Sequence, residues 1–368
     1  MEDGLFLPAD APDGSARIDD TDTKRLIARA REIHRHVAAR DPSLAPSALW
    51  KALSKAHRAL LRQLGIARFK RGLSQSYSTF AIRRPNHINY RAVLRAFLRR
   101  PSVAPFSVRM RRGHLVNAFG QARLPDRFGQ FVYASYIGLL WAMIDDGSDD
   151  LPQRLSEPAV GDPLPVSVRG KPVSQDLANS IHEMRVIRPH VPPGGVVAEV
   201  GAGYGRLGQV VHEAGRRYWI FDIAPALTVS EWYLAQVFPG ARHFRWRPFE
   251  SWAEIRDEAL AADFAFFSAD QLALLPAETV DAFAAISCLH EMTEAQCDFL
   301  LGQMGDKARA AIYTRNWTEM RNAYDDVLFR SADLHPPPGW QTARARRDLL
   351  WPRFTEKLFV RDRAPQPE

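Results

Sequence analysis

Two short stretches of this 368-residue chain hold residue types whose order can do chemistry. The first is Glu199-Val200-Gly201-Ala202-Gly203-Tyr204-Gly205, directly after an apolar run. The second is Ser287-Cys288-Leu289-His290-Glu291-Met292, after another. Gly201 and Gly203 suit a sharp turn from a buried strand into a helix. Without a Cβ, the backbone there adopts unusual angles and a ligand can approach the main chain. Asp222 closes the next apolar run, 19 residues after Gly203, where a carboxylate can accept hydrogen bonds from two ribose hydroxyls. Strand, glycine turn, helix, strand and terminal acid together point to an adenosine-containing cofactor. In the second stretch an imidazole with a pKa near ~6.5 suits removal of a proton from an alcohol, which makes His290 the first candidate base. Glu291 would orient it, replace it as the base, or bind substrate hydroxyls. Alternatively, the His-Glu pair only caps the following helix, whose dipole favours Glu291 in the first turn.

The glycine pattern discriminates between cofactors. A dinucleotide loop reads G-x-G-x-x-G or G-x-G-x-x-A, with pyrophosphate on the helix N-terminus. Here the glycines run G-x-G-x-G, the third position is Arg206, and Glu199 stands two residues before the first glycine. A carboxylate there repels pyrophosphate and receives the ammonium of a methionine moiety. These features resemble motif I of class I methyltransferases and favour S-adenosylmethionine. An ion pair of Glu199 with Arg206, and helix packing at Gly205, are the plainer explanations of the same residues. The expected cofactor set is Glu199, Gly201, Ala202, Gly203, Tyr204, Gly205, Asp222 and Ile223, with Ser287 at the other strand end. Asp270 and Gln271, leaving a further strand, would flank the adenine. Arg206, Arg315 and Asn316 are the expected substrate contacts, the last two suited to hydroxyls or phosphates. No Asn/Asp-Pro-Pro-Tyr/Phe tetrad of base-directed amino methylation follows the fourth strand, and no Asp-rich set fits a catechol-type Mg2+ site, so no metal is expected.

The elements that must position these residues are legible as periodicity. Val196–Val200, Tyr218–Ile223, Phe264–Ser268, Ala282–Ser287 and Ala310–Tyr313 read as strands, and Phe354–Arg361 as a final one for which an antiparallel direction is open. Helices are predicted over Ser174–Pro189, Arg206–Ala214, Ala226–Phe238, Phe249–Ala261 and Thr293–Met304. Strands alternating with helices of this length mean a doubly wound α/β sheet with Rossmann-like topology from about 174 to the end. Before it, residues 21–145 read as a helical region, with helices over Asp22–Ala39, Ser47–Leu64, Tyr90–Arg99 and Arg127–Ile144, and with Asp22, Ser47 and Ser174 as N-caps. Residues 146–173, rich in Pro, read as a connector over the surface, and 1–20 as a flexible leader.

Composition sets the outer limits. Two cysteines, Cys288 and Cys297, exclude a disulfide framework and a Cys-type zinc cluster and fit a reducing cytoplasm. The longest apolar stretch, Phe131 to Ile144, is too short to span a bilayer. The net charge of +7 is unevenly spread: Pro42 to Pro125 carries no Asp or Glu and 17 of the 49 Lys and Arg, leaving 32 basic against 42 acidic residues elsewhere. Such a block either attracts anions, among them nucleic acid, phosphorylated glycans and nucleotide sugars, or docks on the acidic half of its own chain.

Several stretches in order resemble the sugar O-methyltransferase family of bacterial polysaccharide clusters. They are Glu157-Pro158 with Gly161-Asp162-Pro163, Ser174 to Ser180 (SQDLANS) with Glu183, Glu199 to Leu207, Phe221 to Leu227, Ser287 to Met292, and Ile312-Tyr313 with Asn316. Ala224 stands where that family more usually has Pro. The resemblance covers roughly 157–317 and implies methyl transfer from S-adenosylmethionine to a hydroxyl of a sugar or glycan, free, phosphorylated or nucleotide-linked. It is firmer at Glu291-Met292 than at His290. Two other functions compete: a nucleic-acid methyltransferase gripping phosphates with the acid-free block, and a non-catalytic scaffold with a relic cofactor site.

Overall fold

The computed structural model describes residues 20–40, 47–72, 108–110, 137–163, 166–348 and 353–362. Apolar runs of five to seven residues have no polar side to turn to water, so they form strands buried on both faces. Val196–Val200 (β1), Phe264–Ser268 (β4) and Val280–Ile286 (β5) are buried at every position. With Arg217–Asp222 (β2), His243–Phe244 (β3) and Ala308–Trp317 (β6) they pair in parallel. Trp340–Arg347 (β7) and Phe354–Arg361 (β8) close one edge, with β8 antiparallel to both β6 and β7. The spatial order is β7-β8-β6-β5-β1-β2-β4-β3. Successive strands run outward from β1 in opposite directions, so the order reverses between β1 and β5. Ligands of open α/β sheets bind in the crevice at the carboxyl ends of such a pair.

Alternate side chains on these strands point to opposite faces and build two apolar layers. Val197, Ile220, Phe266 and Tyr313 face the helices Gln175–Ile187 (α3), Arg206–Glu213 (α4) and Ala224–Val237 (α5). Val196, Ala198, Phe267 and Ile312 face Arg256–Ala261 (α6) and Glu294–Lys307 (α7). The N-terminal helices Thr21–Arg40 (α1) and Ala48–Leu64 (α2) join the first layer through Ala30, Ile33 and Leu61. Arg29 donates to the Trp246 carbonyl, and Arg40 Nη1 to the Phe249 carbonyl at 2.8 Å. The first turn of α2 is held by Asp325, whose carboxylate accepts from the amides of Ala48 (2.7 Å) and Leu49 (3.1 Å).

Several elements differ from the sequence expectation. Asp20 rather than Asp22 caps α1, accepting from the Asp22 amide at 3.0 Å and the Thr23 hydroxyl at 2.6 Å. Ser47 and Ser174 cap α2 and α3 as expected, accepting from Trp50 N (3.2 Å) and Leu177 N (3.0 Å). The helix expected over Phe249–Ala261 begins only at Arg256, because Ser251 and Glu254 form a capping box around a single tight turn. The connector is not confined to the surface: it buries Leu151, Leu155 and Glu157 and contributes strands Val166–Val168 and Lys171–Pro172. Residues 137–144 are helical and, apart from Met143, buried; the rest of the expected Arg127–Ile144 helix, the Tyr90–Arg99 helix and the leader up to residue 19 lie outside the described residues. Among the described residues no helix is long and apolar enough to cross a membrane.

Candidate functional site

The glycine turn lies at the carboxyl end of β1, where the crevice opens. Gly201, Gly203 and Gly205 have φ of +70°, +62° and +81°. At Gly201 a second constraint acts: a Cβ would lie 2.5 Å from Cys288 Cβ and 3.0 Å from its Sγ, so any side chain would wedge the β1 and β5 exits apart. Asp222, at the end of β2, bridges the turn from below. Its Oδ2 accepts from Gly203 N at 3.0 Å and its Oδ1 from Ile223 N at 2.7 Å. Burial pushes its carboxyl up to about 7, against the pull of those amides. Glu199 is buried and accepts a hydrogen bond from the Tyr218 hydroxyl. Burial raises it to about 8, opposed by Arg206 and the Tyr218 hydroxyl. Ala202 and Tyr204 are also buried here, and the Tyr204 hydroxyl donates to Asp176 Oδ2 at 2.9 Å.

Asp270 and Gln271 follow β4 in a capping turn and part company. Gln271 serves the backbone: its Oε1 accepts from Ser268 N at 3.1 Å and its Nε2 donates to the Arg247 carbonyl at 2.8 Å. Asp270 is 4% exposed, and among the described residues neither of its oxygens has a hydrogen-bond partner. Two basic groups approach it, His36 Nε2 and Arg40 Nε, both on α1 and both 3.9 Å from its Oδ2.

Across the crevice, the exit of β5 is shaped by Asn316. Its Oδ1 accepts from Cys288 N (3.2 Å), Leu289 N (3.1 Å) and His290 Nδ1 (3.2 Å), while its Nδ2 donates to the Ala285 carbonyl at 3.2 Å. Ser287 sits at φ +54° to make this turn, and its amide donates to the Arg315 carbonyl at 2.8 Å. Because a carbonyl oxygen only accepts, Nδ1 of His290 carries the proton and Nε2 keeps its lone pair. That Nε2 lies 3.9 Å from Glu291 Oε1. Burial lowers His290 to about 4, so the ring is neutral at pH 7. Glu291 keeps 18% of its side chain exposed. Burial, and then the charge of Asp222, raise it to about 8, while a hydrogen bond with the Trp50 side chain opposes the shift.

Two expected substrate contacts are engaged by partners within the chain. Arg206 turns away from the crevice to α3, donating to Glu183 at 2.6 and 2.8 Å and to Ser180 Oγ at 2.7 Å. Arg315 donates to the same Glu183 at 3.2 Å and to Asp348 at 2.6 Å. Both guanidinium groups are therefore held in a buried ionic cluster around Glu183, which is 0% exposed. The amide of Asn316, the third expected contact, is likewise engaged by the β5 exit. The structure instead brings three unanticipated side chains to the site from the N-terminal helices: Trp50 at Glu291, and His36 and Arg40 at Asp270. Trp50 lies in the acid-free block, which is its one sequence signal; His36 and Arg40 lie just before it and carry none.

No family model matches the chain, and no curated protein does. Solved structures that align with part of the chain include the magnesium protoporphyrin IX methyltransferase of Synechocystis PCC 6803 with bound SAH, at 13% identity over 51% of this chain and 85% of that one, TM-score 0.36. A TehB-like SAM-dependent methyltransferase of Corynebacterium glutamicum is 16% identical over 49% of this chain and 86% of its own, TM-score 0.33. A SAM dependent methyltransferase of Aquifex aeolicus is 16% identical over 48% and 88%, TM-score 0.30.

Proposed function

We propose that this chain is an S-adenosylmethionine-dependent O-methyltransferase whose acceptor is a hydroxyl of a sugar or glycan. One observation carries the proposal: at the strand-order reversal, a glycine turn braced by Asp222 faces a proton acceptor, Glu291, across the crevice. The residues fit the cofactor. Asp270 is a buried carboxylate with both oxygens lacking a hydrogen bond, a costly arrangement that an exocyclic amine would relieve. Asp222 would hold the ribose with the lone pairs its amide contacts leave free, and Glu199 the methionine ammonium. When bound, S-adenosylmethionine supplies an activated methyl group.

The chain's own work is to orient the acceptor and take its proton. A base performs best with a pKa near the operating pH. Glu291, raised to about 8, meets that condition, whereas His290, lowered to about 4, binds a proton poorly. Glu291 is therefore the base, and neutral His290, fixed by Asn316, accepts a hydrogen bond at Nε2 that positions the reacting hydroxyl. The sugar assignment draws on the stretches that resemble the sugar O-methyltransferase family. Mass spectrometry of surface glycans from a strain lacking the gene should show the loss of one methyl group. An unchanged glycan mass, or no S-adenosylmethionine binding by calorimetry, refutes the proposal.

A further inference from the structure

Helix α3 carries polar side chains whose partners are accounted for on both sides of an exception. Asp176 accepts from Tyr204 at 2.9 Å, Ser180 from Arg206 at 2.7 Å, and His182 Nε2 meets Glu356 Oε2 at 2.8 Å. Beside them on the same helix, Gln175 and Asn179 are 2% and 7% exposed, yet among the described residues Gln175 Nε2, Gln175 Oε1 and Asn179 Nδ2 have no hydrogen-bond partner. The two residues are one helical turn apart and share a face. Asp176 fixes that end of α3 beside the glycine turn, while Glu183, two turns on, reaches Arg315 in β6. Gln175, next to Asp176, thus lies at the end of α3 near the glycine turn, and Asn179 lies between that end and Glu183. Native proteins rarely leave such amides unpaired, and a pair of them together points to a ligand.

The identity of the unmet groups selects the ligand. A carboxylate would satisfy the two N–H donors but would set its charge against Gln175 Oε1, close to Asp176 and Glu183. A hydroxyl both donates and accepts, and so matches an amide on both sides. We infer that Gln175 and Asn179 form a polyhydroxyl-recognition subsite that grips the uncharged face of the acceptor. This inference rests on the methyltransferase proposal and goes beyond it by assigning the residues that read the acceptor.

The test uses the full chain saturated with S-adenosylhomocysteine, with saturation-transfer NMR on glucose, galactose, mannose and rhamnose at millimolar concentration. The wild type should transfer saturation to at least one sugar. Gln175→Leu and Asn179→Leu should weaken that binding tenfold or more, with S-adenosylhomocysteine affinity within twofold by calorimetry. Their melting temperature should be unchanged or raised, because each removes an unpaired polar group from a buried position. If a leucine variant does not fold, Asn179→Asp keeps the side-chain outline, removes the Nδ2 donor and should give the same loss. No transfer to any sugar with S-adenosylhomocysteine bound overturns the inference alone, as does transfer retained in the variants. A tenfold loss of S-adenosylhomocysteine affinity in the variants also overturns it, by assigning the amides to the cofactor. Absence of S-adenosylhomocysteine binding in the wild type overturns this inference and the methyltransferase proposal together.

Discussion

Replacing Glu183 with Gln tests whether Arg206 and Arg315 belong to the architecture rather than to the acceptor. Glu183 is fully buried and takes three hydrogen bonds: two from Arg206 at 2.6 and 2.8 Å, and one from Arg315 at 3.2 Å. A glutamine keeps one accepting oxygen and turns an NH2 toward a guanidinium, so donors face donors. It also removes the carboxylate that Arg206 grips, while Arg315 keeps its contact with Asp348. Breaking a buried pair by removing one partner costs about 3–5 kcal/mol. At about 2 °C per kcal/mol for a domain of this size, Glu183→Gln should lower the melting temperature by about 6–10 °C. Intrinsic fluorescence reports the transition, since Trp219 and Trp246 are buried in the two layers. Arg315→Lys should destabilise too, because an ammonium cannot replace the fork that reaches both carboxylates. An unchanged melting temperature combined with a large loss of turnover would refute the structural account and return the arginines to the acceptor.

Three further outcomes follow from the site. Glu291→Gln should lower turnover by roughly 10²–10⁴-fold, and more than His290→Ala; because the base must lose its proton, the wild-type rate should climb as pH rises through about 8, and a rate flat across that range removes Glu291 from the role. Glu199, Asp222 and Glu291 have folded-state values raised by burial to about 8, 7 and 8, so the stability they contribute is complete below the unfolded carboxyl range and lost as pH rises through those values. Melting curves of the ligand-free chain should therefore move to lower temperature between about pH 6.5 and 8, above the range in which buried His57 and His290, lowered to about 3 and 4, act with the opposite sign. At Glu356 burial is outweighed by His182 and nearby arginines, which lower it to about 2; its sign is opposite but it acts below this window. A rising melting temperature across the window contradicts the burial of the three acids. Gly201→Ala places a Cβ 2.5 Å from Cys288 Cβ at a φ of +70° and should weaken S-adenosylmethionine at least tenfold by calorimetry, with partial recovery on adding Cys288→Gly; full affinity in the single variant would separate the turn from the cofactor.

Much of the sheet was legible because its strands are buried on both faces and so are written as unbroken apolar runs. Val196–Val200 and Phe264–Ser268 have the predicted bounds, and so does Phe354–Arg361, which is half-buried and is written instead as an alternation of Phe354, Leu358 and Val360 with polar residues. Strand β7 was not legible: Trp340–Arg347 lies at the edge, is mostly exposed and alternates arginines, a pattern that guards an open edge and hides a strand from hydrophobic periodicity. The glycine turn and Asp222 were readable since strand and turn chemistry are local. The role of Asn316 was not, because its oxygen is claimed by donors 26 to 28 residues away in sequence. Arg206 and Arg315 stood at the right strand and helix ends for an acceptor, and only the position of Glu183 on a separate helix redirects them. The capping role of Gln271 is a local feature that the sequence does contain: Ser268 and Gln271 are spaced as a capping box.

The described part of the acid-free block finds partners within its own chain. Lys70 is buried, donating to Glu157 at 2.5 Å and to the Tyr233 hydroxyl at 3.1 Å, and that contact ties residue 70 to a helix of the sheet layer. Against a burial that would otherwise strip its proton, Glu157 and Tyr233 hold the ammonium charged. Ser47 Oγ donates to the Glu291 carbonyl at 3.3 Å, and Asp325 accepts the first amides of α2. Each acidic partner, Glu157, Asp325 and Glu291, comes from the part of the chain whose balance is acidic. These contacts hold α2 across the β5 exit and put Trp50 on the Glu291 side chain. Removing that cover would expose Glu291 to water, and water is what its raised pKa depends on excluding. Lys51, Lys55 and Arg62 remain exposed along α2, on the outside of that cover. The cover over the proposed base is thus fastened by Ser47, by Asp325 on the first amides of α2 and by Trp50, and not by the lysines and arginines of that helix.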